Sequence, residues 1–213
     1  MRRIFIAVMA IGAMVVLSGC SKDDSPEQST AGIQVKNLDA ASNDEQIWTY
    51  FSFATGKLVS PTGAVEESKE WDIAFHRFYI KTNSGTSGKG NVGVAATGVK
   101  DFDAVTKAPT QGYEADKMVT VETRPATPDT APSNVIVSSN PVITGTVESK
   151  DPKGWYNYVR PQQGETTPHF NITKYVYAIR TLEGKYVKIQ LTDYTNDYGT
   201  SGYISFRYAF IEP

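Results

Sequence analysis

What most constrains this chain is the two-residue rhythm of its apolar side chains. In the stretch 186–194, Val187, Ile189 and Leu191 share one face while Lys188, Gln190 and Thr192 occupy the other. In 202–211, Ile204, Phe206, Tyr208 and Phe210 alternate in the same way. A period of two places successive side chains on opposite faces of a strand, and a helix cannot satisfy it. The rhythm recurs along nearly the whole chain, so it predicts an all-β protein. Segments 175–180 and 186–194 flank Leu182-Glu183-Gly184, which reads as a hairpin turn. In 46–53, Trp48 and Tyr50 face one side, and Ile47, Thr49, Phe51 and Phe53 the other. The run 71–82 is aromatic and β-branched on both faces, as expected of one central strand between two packed layers. Further strands are expected at 92–96, 119–123, 134–137, 142–147 and 155–159. A helical turn is expected only at 101–107. Residues 124–141 are rich in proline and read as a long loop containing a short strand, the kind of element that often binds ligands.

The N-terminus follows different rules. Arg2 and Arg3 precede a 13-residue apolar stretch from Ile4 to Val16, which is a secretory signal too short to span a bilayer as an ordinary helix. Leu17-Ser18-Gly19-Cys20 resembles a bacterial lipobox, with cleavage before Cys20 and acylation of its thiol. Several acyl chains on Cys20 would give stable membrane attachment. Ser21-Lys22-Asp23-Asp24 resembles the signal that sends lipoproteins to the outer face of the outer membrane. The expected organisation is a signal peptide at 1–19, a lipidated cysteine and flexible tether at 20–32, and one β domain at 33–213.

Composition narrows the chemistry. With 21 Lys+Arg, 23 Asp+Glu and a net charge of −2, falling to −4 once Arg2 and Arg3 are removed, the chain lacks the basic face of a nucleic-acid binder. Its one cysteine excludes a disulfide framework and a cysteine-clustered metal site. Gly88-Lys89-Gly90-Asn91-Val92-Gly93 matches the spacing of a dinucleotide-binding loop, but strand-forming residues follow where a helix must start. Asn83 and Gly90 stand where a P-loop needs Gly and Ser or Thr. Asp72 and His76 are four residues apart on one strand, about 13 Å, too far for a catalytic dyad. His76 reads as a structural histidine bonded to backbone, and Glu66 to Glu70 as a solvated turn. No nucleophile elbow or zinc-protease helix is present, so the chain is not expected to be an enzyme. His169 reads either as an exposed loop histidine or as a ligand. It follows the polar stretch 161–168 and precedes a strand, near Tyr156, Tyr158 and Phe170, where an imidazole could ligate a flat cofactor.

Several stretches together resemble the HmuY-like haem-binding lipoproteins. They are Trp48-Thr49-Tyr50-Phe51-Ser52-Phe53, Trp71-Asp72-Ile73-Ala74-Phe75-His76-Arg77, and Asn83-Ser84-Gly85-Thr86-Ser87-Gly88-Lys89-Gly90. Further on come Gly112-Tyr113, Val142-Ile143-Thr144-Gly145, Gly154-Trp155 and the run Val187 to Tyr194, in the family's order over residues 46–211. The resemblance implies a hand-shaped fold of antiparallel strands with finger-like loops forming a ligand cleft. It implies haem held between two axial ligands and passed to a TonB-dependent outer-membrane receptor, with His76 in the scaffold. The family's His or Met ligands lie before the Val-Ile-Thr-Gly strand and just after Gly-Trp. Here 124–141 and 156–168 contain neither, and Val159-Arg160 stands in the second ligand region. Once Met1, Met9 and Met14 leave with the signal peptide, His169 and Met118 are the remaining donors besides His76, with phenolate from Tyr158 or Tyr156 as a substitute. Three readings follow. The first is haem with atypical ligation through His169. The second is another flat ligand, a metal-free porphyrin or an iron–siderophore complex, held by Arg160 and the tyrosines. The third is an interaction protein that kept the fold and lost the pocket.

Overall fold

In the computed structural model the C-terminal alternation becomes the centre of a five-stranded antiparallel sheet. The structure describes residues 32–126, 129–149, 154–159, 161 and 169–213; the signal peptide, Cys20, the tether before Gly32 and Arg160 lie outside them. The sheet runs in the order β1 (Ile33–Asp39), β13 (Ser201–Ile211), β12 (Tyr186–Thr195), β11 (Val176–Arg180), β6 (Gly93–Ala96). The hairpin expected around Gly184 is the β11–β12 connection, closed by Gly184 N–H donating to the Thr181 carbonyl at 2.9 Å. Gly184 has φ +75°, a conformation that suits glycine.

A second sheet of four strands has the order β3 (Lys57–Val59), β2 (Thr49–Ser52), β4 (Ile73–His76), β5 (Tyr79–Thr82). The two sheets join through an aromatic core. Phe51 lies edge-on to Phe206 and Tyr208 at 5.4 and 5.7 Å, Phe53 edge-on to Tyr208 at 5.2 Å, and Phe75 stacks on Phe206 at 5.5 Å. Each such pair adds about 0.5–1.5 kcal/mol beyond the area it buries. The face predicted from Ile204, Phe206, Tyr208 and Phe210 is buried in the main core, and Ala209 and Ile211 on the other face are buried in a second cluster.

Two hairpins complete the fold: β7 (Lys117–Arg124) with β8 (Ser133–Ser139), and β9 (Tyr156–Val159) with β10 (His169–Ile172). The first is fastened at its base to the edge of β5. Ser139 Oγ and Asn140 N donate to the Ile80 carbonyl at 2.7 and 3.0 Å, and Ile80 N donates to Thr144 Oγ1 at 3.0 Å.

Four local expectations change. The run 71–82 is two strands rather than one, because the chain turns at Arg77, whose φ is +50°. That conformation is uncommon without glycine. It is held by tertiary contacts, with Arg77 N donating to the Ala40 carbonyl and Arg77 Nη1 to Asn43 Oδ1 at 2.8 Å. Residues 142–147 do not form a strand. Pro141–Thr144 is a single helical turn (α1), with Asn140 Oδ1 accepting from Val142 N and proline at the first helical position. Residues 101–107 form irregular turns that seal the outer face of the large sheet with Phe102 and Val105, and Lys188 Nζ donates to the Phe102 carbonyl at 2.8 Å. The proline-rich segment holds the whole of β8, a seven-residue strand.

Candidate functional site

The edge of β5 and the β8 strand diverge around a cavity of about 730 Å³. One wall comes from the four-stranded sheet and its flanks, with Trp48, His76, Phe78, Tyr79 and Lys81. The other is the hairpin, with Met118, Val135, Ile136 and Val137. The hairpin contributes from both of its faces. Val119 and Val121 pack with Tyr79, Trp48 and Val137, and Val135 and Val137 share that face as their cross-strand partners, whereas Met118 is on the opposite face and 59% exposed. Ile136, cross-strand from Thr120, is 68% exposed. Also in the lining, Ser138 Oγ lies 2.6 Å from Thr86 Oγ1 and 2.7 Å from Ser87 Oγ.

His76 is buried at the floor. Its Nδ1 lies 2.9 Å from the Ile47 carbonyl, which can only accept, so Nδ1 donates to it and Nε2 is the ring nitrogen not used in that bond. The ring is parallel to Tyr79, 4° between planes and 6.1 Å between centres, and tilted against Trp48 at 5.4 Å. The backbone-bonded role read from the sequence is observed, and the same residue also lines the cavity. Burial pushes the Tyr79 phenol up to about 12, so it stays protonated.

Lys81 reaches across three aromatic rings. Its ammonium is 4.2 Å from the ring centre of Trp48, 5.1 Å from Tyr50 and 5.7 Å from Trp71, and it donates to Tyr50 Oη at 3.3 Å. Burial lowers the Lys81 ammonium to about 8, against the opposing pull of Asp116 and Glu66.

A smaller groove of about 130 Å³ lies at the other edge of the hairpin, between β7 and β9, bordered by Val121, Glu122, Thr144 to Val147 and Tyr156 to Tyr158. Tyr158 packs edge-on against Phe170 at 5.4 Å. Burial drives the Tyr156 phenol upward, so phenolate at that position is disfavoured. His169 takes the first position of β10, opposite Val159, and its side chain is outside the described residues. The structure therefore separates the residues singled out by sequence. Met118 belongs to the large cavity and Tyr158 to the groove. Trp48, Tyr79 and Lys81 received no binding role from the sequence. Alternation on 46–53 exposed the Trp48 face, but nothing local showed that β8 would close over it. Among the described residues no three His, Cys, Asp or Glu gather as a metal site.

The fold and cavity define a β-sheet binding protein with projecting hairpins. The chain belongs to the HmuY family, whose model, described as HmuY protein, matches residues 44–208. This is a haem-binding type of protein family rather than a family of enzymes. Solved structures with the same architecture include the apo HmuY analogue of Tannerella forsythia, at 25% identity, 90% of this chain, 100% of that chain and a TM-score of 0.55. A Bacteroides vulgatus protein assigned as HmuY-like and haem-binding matches at 24% identity over 87% of this chain and 94% of its own, TM-score 0.55. A Bacteroides fragilis protein assigned as a lipoprotein matches at 22% identity over 89% and 96%, TM-score 0.56. No curated protein matches the chain.

Proposed function

We propose that this protein is a cell-surface lipoprotein, anchored in the outer membrane through Cys20, that binds haem and passes it to a TonB-dependent outer-membrane receptor. Family membership, the lipobox at 17–20 and the lipoprotein relative in Bacteroides fragilis support the setting. The observation that carries the binding reading is the cavity beside β8. Its volume lies within the roughly 300–1,000 Å³ of small-molecule and cofactor sites, and its lining joins aromatic faces, an apolar strand and a thioether.

The residues present fit haem. Met118 carries a thioether, an established haem-iron ligand type, and its exposed position leaves the sulfur accessible. His76, whose Nδ1 donates to the Ile47 carbonyl, is the imidazole of the lining, with Nε2 as the nitrogen that would be offered to iron. Trp48, Phe78 and Tyr79 would cover the faces of a macrocycle, and Val135 to Val137 its apolar edge. When bound, haem would supply the iron that is the cargo. The groove's described part is too small for a macrocycle and offers, of the ligand types considered, the Tyr158 hydroxyl and a Tyr156 phenol that burial holds protonated.

Titrating the unlipidated protein with haemin tests this. A Soret shift that changes shape in Met118→Ala and persists in Tyr158→Phe and His169→Ala is expected. Loss of the shift in Tyr158→Phe or His169→Ala, with Met118→Ala unchanged, would move the site to the groove. No shift in either redox state would end the haem reading.

A further inference from the structure

We infer that the cavity selects a flat aromatic ligand that bears a carboxylate, and that Lys81 is the residue that recognises the carboxylate. The inference rests on the reading that the cavity beside β8 is the ligand site.

Lys81 is a cation held largely out of water without an anion beside it. The ion pairs among the described residues are Lys89–Glu67, Lys117–Glu114 and Lys185–Glu183, and none includes Lys81. Its charge rests instead on the faces of Trp48, Tyr50 and Trp71. Cation–π contact offsets only part of the desolvation of an ammonium. The nearby carboxylates do not complete the offset. Asp116 is buried with its oxygens already accepting from Thr82 N, Thr82 Oγ1 and Asn140 Nδ2, and Glu66 is solvent-exposed on the 3-10 turn 65–67. Arg77, the other cation of the lining, is bound to Asn43 and the Ala41 carbonyl. Lys81, held by one long hydrogen bond to Tyr50 Oη and by ring faces, is thus the cation of the lining that a ligand anion would complete. Its ammonium lies over the ring of Trp48, which is tilted against His76, and all three residues line the cavity, so a flat ligand seated beside Trp48 would bring a peripheral carboxylate to the ammonium. The groups facing Lys81 that titrate or carry charge are Tyr50 from β2, Glu66 from the 3-10 turn, and Asp116 ahead of β7. Glu45, His76, Arg77 and Tyr79 share the cavity. Below about pH 8 the ammonium is charged and available. Above it the free protein loses the charge and with it the recognition.

The probes are a metal-free porphyrin with two free carboxylates and its dimethyl ester, followed by quenching of tryptophan fluorescence. The wild type should bind the free acid about tenfold more tightly than the ester at neutral pH, the scale of a charge-assisted hydrogen bond. Lys81→Gln should bring the two probes together, and Lys81→Arg should retain the preference. Raising the pH from about 7 to about 9.5 should erase the preference in the wild type and leave Lys81→Arg unaffected. Equal preference in wild type and Lys81→Gln, with both folded by circular dichroism, would overturn the inference. If both porphyrins bind and Met118→Ala alters the haemin spectrum while Lys81→Gln changes nothing, only the role of Lys81 fails. If neither porphyrin binds and Met118→Ala leaves the haemin spectrum intact, the cavity reading itself fails.

Discussion

The backbone N–H of Leu182 donates to Asp72 Oδ1 at 2.9 Å, across 110 residues of sequence. The other oxygen of the same carboxylate accepts from Phe53 N at 2.8 Å. Phe53 follows β2 and Leu182 sits in the β11–β12 turn, so one buried acid ties the two sheets together. Burial pushes the Asp72 carboxyl above its usual range, while the two amides pull it down. Asp72→Ala would leave the buried Phe53 amide without an acceptor, at about 1–3 kcal/mol, and the half-buried Leu182 amide at less. Urea unfolding should show that loss, with Asp72→Asn retaining one bond and losing less.

Asp116 makes stability depend on pH. Burial raises its carboxyl from 3.8 to about 6 despite hydrogen bonds from Thr82 and Asn140. The native state therefore holds this proton more tightly than the unfolded chain. The resulting stability is fully present below about pH 4 and is lost as pH rises through about 6, on the order of 2–3 kcal/mol. Asp116→Asn should flatten the slope of the unfolding midpoint between those two pH values. An unchanged slope would assign the dependence to other groups.

Gly85 has φ +55°, and a Cβ there would collide with the Asp116 carbonyl. Gly85→Ala combines left-handed strain with a backbone clash, so it should destabilise by more than about 1 kcal/mol in thermal unfolding. It should also loosen the start of β7, which follows Asp116, and reduce haemin affinity.

Membrane attachment has its own test. Cys20→Ser removes the acylated thiol and should release the protein from the membrane fraction without changing its circular dichroism, because the β domain starts beyond the tether. Protease added to intact cells should cut the wild type. Protection would place it on an inner face.

Sequence alone determined the all-β class, because a two-residue period can be buried only by strands. The faces of β12 and β13, the β11–β12 hairpin and the backbone-bonded role of His76 were all legible in local pattern. The family, too, was legible, since its residues recur in order along the chain. Other features were not. The turn at Arg77 lacks glycine and exists only because Asn43 and Ala40 hold it. The helical turn at Pro141–Thr144 did carry a local signal, an asparagine cap before proline. The site was decided by tertiary structure. Met118 and Tyr158 are residues of adjoining hairpins, yet they open on opposite edges of one of them. Trp48 and Lys81 meet only because β2 and β5 flank β4 in one sheet and β8 docks along β5. Periodicity specifies which face of a strand is buried, a local property of alternating side chains. Which strands then surround a ligand depends on contacts between residues far apart in the chain, and no local pattern encodes them.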